Sequence, residues 1–470
     1  MQRQSQKRLK VLSLNCWRVS QGLWLVADKR RQRIKAIADW IAHSSSPLAA
    51  SSYSSERHAG GIEEHGEVGE GYDVVALQEL WVRSDYEHVA ERAKEAGLVH
   101  SRFFYSGAIG SGLAILSRYP IVSAFVSPYP LNGFPLHFIE GDFFAGKAVC
   151  GVCIDVEGVG KVDVLNTHMY APGGEGDTIT GAHRVAQAWE LARIATEKAE
   201  RGRHVLVMGD FNSQPHSLVM RLITTNGSLL DSFAETHPPP PSITSAAHRA
   251  LSPVEAMHAH GITCDSPLNT YSAPKLRKKR SGDEVVLRGG KRLDYILYRS
   301  PADSPWQLRA ESTSLELSEP IPSLGVSYSD HFALSTTFSF TQQQQKLPDP
   351  LTPDLLSPAL SNLHGAYRAS LASSRFQLRV FLGCLAAALG LTVASSFEPL
   401  RALDWLFTLL GVVAGAGGAT FLYTGFLGGS WEAGQLRNVI TEMEAELQRI
   451  RIARVDEQGR MEMDDGGWTR

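Results

Sequence analysis

The chain has 470 residues and a formal net charge of -3, with 43% hydrophobic and 20% charged residues. That length exceeds one average domain but fits one large α/β enzyme domain with an appendage. The near-neutral balance excludes a protein that wraps nucleic acid with a dominant basic face, and five scattered cysteines exclude a disulfide framework and point to a reducing compartment.

Residues 1–10 are polar and basic without an apolar h-region, so no signal peptide is expected. Residues 11–17 alternate into a strand that ends at Asn15, a poor strand residue suited to polar work at a sheet's rim. Ile34, Ile37, Ala38 and Ile41 predict an amphipathic helix over 30–41. Residues 44–71 are rich in Ser, Gly, Glu and His, and read as a disordered surface insertion. A second strand over 72–79 ends in Glu79, which is either a helix N-terminal acid or a ligand for a hard cation. A third covers 111–117, and Arg118-Tyr119-Pro120 turns away from it.

Residues 129–139 are apolar but broken by Pro and Gly. They read equally as a loop packed on the domain or a loop dipping into lipid. Residues 141–147 match G-x-x-x-x-G-K, yet Ala148 stands where a P-loop needs Ser or Thr, and the flanking elements are wrong for it. Nucleotide binding is not expected; Lys147 is left to meet a phosphate or a nearby carboxylate. Cys150 and Cys153 lie in a strand-like stretch, where residues three apart face opposite sides, so no redox or metal role is expected.

A strand over 161–166 delivers His168, and 177–200 reads as a helix with His183, Arg184 and Gln187 near its start. Residues 205–208 are a buried apolar strand, and Gly209 turns the chain before Asp210 and Asn212. Asp can take a proton from water or hold a cation, and Asn can donate to an anionic oxygen without adding repulsion. Alone, an ordinary Asx turn explains the pair equally well. A short helix covers 218–225, and residues 237–285 read as irregular, carrying the basic run 275–280. That run is either a solvated loop or, beside a membrane, an attractor of anionic headgroups. Stretches 292–298 and 329–334 close the domain with Asp294, Asp330 and His331.

Several strand ends thus bring Asn15, Glu79, His168, Asp210, Asn212, Asp294, Asp330 and His331 to one rim. The combined chemistry is Mg²⁺-assisted phosphodiester hydrolysis: a carboxylate for a hard cation, amides for developing charge, a His–Asp pair for protons.

Leu14-Asn15-Cys16-Trp17, Leu77-Gln78-Glu79, Asn166-Thr167-His168, Gly209-Asp210-Phe211-Asn212, Leu293-Asp294-Tyr295 and Ser329-Asp330-His331 resemble the endonuclease/exonuclease/phosphatase superfamily. That resemblance implies a DNase-I-like, four-layer αββα sandwich. Within the superfamily the chain is most similar to neutral sphingomyelinases, and above all to the fungal inositol phosphosphingolipid phospholipases C, over about residues 9–339 and the tail. It implies Glu79 as principal Mg²⁺ ligand with Asn15 close to metal and phosphate. Asp210 and Asn212 would orient the attacking water and the phosphate, and His168 would contact the phosphate. His331 would act as general base or acid, oriented by Asp294, with Asp330 beside it. Asp142 and Lys147 would switch the site on rather than bind nucleotide. The insertion at 44–71 and the Pro-rich stretch before Cys264 depart from the family pattern without removing a motif residue.

The catalytic domain is expected over 1–340 and a linker over 341–365. Residues 380–397 then hold 18 residues without a charge, and 405–431 hold 27 with a Trp at each end. These lengths predict transmembrane helices at 376–397 and 403–431, forming a hairpin; the bland alternative is a buried helical hairpin. Gly383, Gly390, Gly411, Gly415, Gly425 and Gly429 would let the helices pack closely. Arg368, Arg375, Arg379 and Arg437 mark both flanks as cytosolic, giving an integral, multi-pass protein of the endoplasmic reticulum or mitochondrial membrane with a cytosolic catalytic domain. In the tail at 432–470, Leu436, Ile440, Met443, Leu447 and Ile450 predict an amphipathic helix, with homo-oligomerisation as a further expectation.

A hairpin of this kind gives an enzyme a high effective concentration of lipid. The expected activity is a phospholipase C releasing ceramide and a phosphorylated headgroup from membrane sphingolipid, activated by anionic phospholipid, with no nucleic-acid partner. The rivals are a membrane-tethered nuclease or deadenylase and a non-catalytic membrane scaffold.

Overall fold

The computed structural model describes residues 7–17, 28–46, 71–137, 141–174, 178–238, 251–279, 283, 285, 288–397 and 403–465. Most of the expected insertion at 44–71 lies outside these, as do residues 138–140 of the apolar loop. Two units are distinguishable. The first is Met1–Asn132, Phe138–Glu175 and Gln187–Pro350; the second is Gly133–His137, Gly176–Ala186 and Leu351–Arg470.

The first unit is built on two six-stranded mixed sheets. One contains β1 (Arg8–Asn15), β2 (Val74–Gln78), β3 (His100–Phe103), β4 (Ala114–Ser117), β11 (Gln307–Glu316) and β12 (Ala333–Thr341), in the order β11-β12-β1-β2-β4-β3. The other contains β5 (Ile121–Pro128), β6 (Ala148–Val156), β7 (Gly160–His168), β8 (His204–Asp210), β9 (Leu230–Asp231) and β10 (Asp294–Arg299), in the order β5-β6-β7-β8-β10-β9.

Each sheet has one parallel pair at its centre, β1 with β2 and β7 with β8. A parallel pair needs a crossover, and the helical patterns after β1 and β7 supply it. They form α1 (Arg30–Ser45) and α3 (Thr178–Glu200); α2 (Arg83–Glu95) follows β2, and α4 (Leu218–Asn226) follows β8.

Alternation along the strands builds the layers. Val11, Val74 and Ile115 of the first sheet and Val152, Val164, Leu206, Met208 and Ile296 of the second form one core, in which the sheets face each other. The opposite side of the first sheet, Leu12, Leu14, Val75 and Leu77, is covered by Ile34, Ile37 and Ile41 of α1 and Val89 of α2. On the outer side of the second sheet, the α3 residues Glu190 and Lys198 meet Ser127 and the Phe125 ring of β5. The fold is the expected αββα sandwich.

The stretch expected to be irregular contains a helix, Pro253–His260. Ser252 and Glu255 close a reciprocal capping box and Pro253 takes the first turn, a signal hidden by the prolines around it.

The second unit centres on three helical pieces: α5 (Pro353–Ser395), α6 (Asp404–Leu422) and, after a π-helical turn at Tyr423–Gly428, α7 (Gly429–Asp465). Helix α5 starts inside the expected linker, because Pro353 is suited to a first helical turn. Helices α5 and α6 pack together, and the close approach is made by Gly417 and Gly418 beside Cys384 and by Gly425 and Gly429 beside Ser374. Gly383, Gly390, Gly411 and Gly415, expected to share that role, have nothing within 4 Å of a Cβ built on them.

The seam Leu436, Ile440 and Met443 is buried, and α7 packs on α5 with Glu444 meeting His364. Of the five residues of the face that suggested oligomerisation, these three are covered within the chain, while Leu447 and Ile450 stay half-buried. The apolar loop also belongs here: Gly133 N–H donates to His183 Nδ1 at 3.0 Å, and Phe134 lies against the His183 ring. Two helical stretches, Pro353–Ser395 and Asp404–Val455, are long and apolar enough to cross a membrane, and their apolar windows are 0% and 6% buried. The buried-hairpin alternative fails on that exposure.

Candidate active site

The carboxyl ends of the two parallel strand pairs lie on the same rim, the usual place for ligands in open α/β sheets. Asn15 ends β1, Glu79 follows β2, His168 ends β7 and Asp210 ends β8. Strand β10 runs antiparallel to β8 with Asp294 opposite Asp210, so its first residue arrives at the same rim. His331 comes in just before β12, bridged to Cys264.

The contacts form a continuous chain. Asn15 Nδ2 donates to Glu79 Oε1 at 3.2 Å and to Asp210 Oδ2 at 3.0 Å, while Asn15 Oδ1 accepts the Trp17 N–H at 2.9 Å. The amide thus bridges two carboxylates and faces them with its nitrogen. Asp210 Oδ2 lies 3.5 Å from His168 Nε2 and 3.8 Å from His331 Nε2. His331 Nδ1 meets Asp294 Oδ2 at 2.7 Å. Asn212 turns at φ 48°, a conformation Asn tolerates. Its N–H donates to Asp210 Oδ1 and its Nδ2 to the Met169 carbonyl.

Asp142 and Lys147 join the same chain. Lys147 Nζ is buried 3.0 Å from Asp142 Oδ1 and 2.9 Å from His168 Nε2. The G-x-x-x-x-G-K segment wraps a four-residue helical turn, Asp142–Ala145, and holds no phosphate cradle of the P-loop kind. Among the described hydrogen bonds, Asp330 has only the neighbouring Ser329 hydroxyl, at 3.4 Å.

Burial sets the electrostatics. It holds His168 well below its ordinary range, helped by the Lys147 and His331 charges, so this ring is neutral. At His331 burial opposes the charge, but Cys264, Asp294 and Asp210 outweigh it and lift the ring well above its ordinary value. Burial pushes Asp210 up to about 6, against His331 and with Asp294, and Asp330 up to about 7, against His331 and with Glu79. Burial also raises the Cys264 thiol to about 11, so it is no thiolate nucleophile.

Whether a cation fits can be judged from the donors. Ligand atoms of Asp210, Asp294 and His331 lie within 4.8 Å of one another, and Glu79 enters through Asn15. With His331 protonated, the carboxylate oxygens are the available donors, and they suit a hard divalent ion. One Asp294 carboxylate oxygen is buried without a hydrogen-bond partner among the described residues, a group that a cation would satisfy.

Sequence reasoning did not single out the supports. Arg33, fully buried, donates to the carbonyls of Cys16, Trp17 and Tyr328, pinning the segments on either side of the site. Ser329 Oγ donates to the Asn15 carbonyl at 2.6 Å, and Thr263 Oγ1 accepts the N–H groups of Leu293 and Asp294. The signal for Arg33 was a charge on the apolar face of α1, beside Ile34 and Ile37.

Fold and site together define a hydrolase of the two-sheet α/β sandwich class. Residues 12–331 match the Endonuclease/Exonuclease/phosphatase family, and the chain belongs to that family. It is 30% identical to the inositol phosphosphingolipids phospholipase C of Schizosaccharomyces pombe over 448 residues, 93% of either chain. It is 35% identical to the Saccharomyces cerevisiae protein of that name, over 71% of this chain and 65% of the relative. Sphingomyelin phosphodiesterase 2 of Rattus norvegicus is 28% identical, over 70% of this chain and 64% of that one.

Proposed function

We propose that the chain is a Mg²⁺-dependent phospholipase C that hydrolyses the phosphodiester of membrane sphingolipids, releasing ceramide and a phosphorylated headgroup. The observation that carries this is the unbroken contact chain from Glu79 through Asn15 and Asp210 to His331 and Asp294, in a chain whose relatives are named for that reaction.

Glu79 and the adjoining carboxylates would hold the cation, which when bound polarises the phosphoryl oxygens. Asn15 keeps Glu79 and Asp210 together despite their like charges. Asp210 would align the attacking water and take its proton as the new P–O bond forms and the P–O bond to ceramide breaks. The neutral His168 and the remaining Asn212 amide hydrogen face the phosphate oxygens. His331, fixed by Asp294 at Nδ1, carries the proton at Nε2 toward the departing ceramide oxygen. Lys147 opposite Asp142 governs the charge beside His168, so this pair tunes the site.

The exposed apolar helices α5 and α6 would anchor the catalytic unit to a bilayer; the flanking Arg368, Arg375, Arg379 and Arg437 support a cytosolic side, and the endoplasmic reticulum or mitochondrial membrane is the location we propose. The exposed run Lys275, Arg277, Lys278 and Lys279 supplies the attraction to anionic phospholipid. The test is headgroup release from purified sphingolipids with inositol phosphate, mannosylated or choline headgroups, with and without Mg²⁺ and anionic lipid. Hydrolysis of single-stranded nucleic acid in place of every sphingolipid would favour the tethered-nuclease reading.

A further inference from the structure

Four strands share a pattern on the side where the sheets face each other. Leu9 and Val11 on β1, Val74 and Ala76 on β2, Val162 and Val164 on β7, and Leu206 and Met208 on β8 are all in the apolar core. The same alternation then places Ser13, Gln78 and Asn166 one step nearer the rim, each fully buried. Asn15 and His168 stand one step further on β1 and β7, and Asp210 stands one step beyond Met208 on β8; Gln78 pairs in register with Asn15, and Asp210 with His168. Ser13, Gln78 and Asn166 thus lie sealed between the apolar core and the site residues.

These three side chains are bonded to one another, Gln78 and Asn166 across the sheets. Gln78 Nε2 donates to Asn166 Oδ1 at 2.8 Å and lies 3.2 Å from Ser13 Oγ. Asn166 Nδ2 donates to the carbonyls of Leu77 at 2.9 Å and Ala114 at 3.0 Å. Leu77 and Ala114 are the last paired residues of the β2–β4 ladder. A side chain of the second sheet therefore completes the end of a ladder in the first. Immediately beyond, Glu79 sits at φ 56°, a left-handed conformation that is strained for Glu and persists only where its surroundings fix it.

We propose that Gln78 and Asn166 are positioning residues, an amide clamp that locks the sheets together beneath the site and thereby fixes where Glu79 and His168 present their donor atoms. Neither touches the reacting atoms; they act through the residues one and two places along. The pair's amide nitrogens are matched, while Gln78 Oε1 has no hydrogen-bond partner among the described residues, so removing one member leaves still more buried polar atoms bare. The inference rests on the proposed metal chemistry, and its test includes a reading independent of turnover.

The test uses the full chain in detergent micelles, with Gln78→Leu, Asn166→Leu, the double Leu variant, and the near-isosteric Gln78→Glu and Asn166→Asp. Mg²⁺ binding is followed by titration calorimetry and by the rise in unfolding temperature with Mg²⁺; kcat and KM are measured on one sphingolipid. The double variant is expected to fold, to bind Mg²⁺ about 10- to 100-fold more weakly, and to lose kcat by a similar factor with KM nearly unchanged. A folded double variant, or either near-isosteric variant, with wild-type Mg²⁺ affinity and kcat would overturn the clamp, even if its unfolding temperature had dropped. If the wild type hydrolysed no sphingolipid, the functional reading would fall, while the Mg²⁺ titrations would still decide the clamp.

Discussion

The catalytic rim and the tail helices place opposite kinds of side chain in the wrong solvent for water alone. At the rim, Asn15, His168, Asp210, Asp294 and His331 are nearly inaccessible, polar groups sealed among strands. In the tail, Phe376, Leu389, Phe397, Trp405, Val412 and Trp431 are each at least 60% exposed. A buried polar group is stable where its neighbours replace water, and the rim supplies a partner to each of these side chains. A bare apolar helix is stable where the solvent is hydrocarbon, since its backbone is satisfied internally and its side chains need no water. The lesson is that partner density marks a working site, and missing partners mark a lipid face.

The strongest way to break this contrast is at the rim's charges. Glu79→Ala and His331→Ala should each lower headgroup release by about 10³-fold or more, with the far-UV circular dichroism of the micellar chain unchanged. Chelation should match them in the wild type and be reversed by added Mg²⁺. Wild-type rates in either folded variant would remove these residues from the chemistry.

Next in size is the buried ion pair. Lys147→Met leaves the Asp142 carboxylate sealed without its ammonium, and removing one member of such a pair costs about 3–5 kcal/mol. Asp142→Asn combined with Lys147→Met should recover most of that stability in thermal unfolding, yet leave activity low, because the charge beside His168 is still missing. Full activity in the double variant would make the pair a packing device only.

The tail sharpens the contrast from the other side. Leu389→Arg or Val412→Arg should impede membrane insertion by about 2.5–3.5 kcal/mol, read as loss from the carbonate-resistant membrane fraction. Turnover of micellar substrate should stay unchanged. Unchanged retention of both variants would mean that membrane attachment does not depend on these helix positions.

Much of this was readable from the chain because polar residues at strand ends break an otherwise apolar alternation, and Asn15, Glu79, His168 and Asp210 each do so. What was not readable depended on partners distant in sequence. Arg33 looks like a misplaced charge until the carbonyls of Trp17 and Tyr328 converge on it. The helix at Pro253–His260 was masked by flanking prolines, although its cap was legible. The apolar seam of α7 was legible as one face of an amphipathic helix, but a sequence does not say whether the covering helix belongs to the same chain. Here α5 does that.

The smallest effect concerns His204, a polar group buried away from the site. Its Nδ1 lies 3.1 Å from Ser300 Oγ, which also accepts the Leu308 N–H, and its Nε2 lies 3.5 Å from Ser304 Oγ, so hydroxyls rather than carboxylates face the ring. Burial lowers its pKa from 6.5 to about 4. The unfolded chain therefore binds the proton first as pH falls. The stabilisation is complete above about pH 6.5 and is lost progressively toward pH 4, with a ceiling of about 3 kcal/mol. His204→Asn keeps an acceptor for the Ser300 hydroxyl without a titrating ring, so its stability should fall less steeply over that window when unfolding is followed by intrinsic fluorescence. An identical pH slope in the variant would mean that another buried group, nearer the rim, governs acid unfolding.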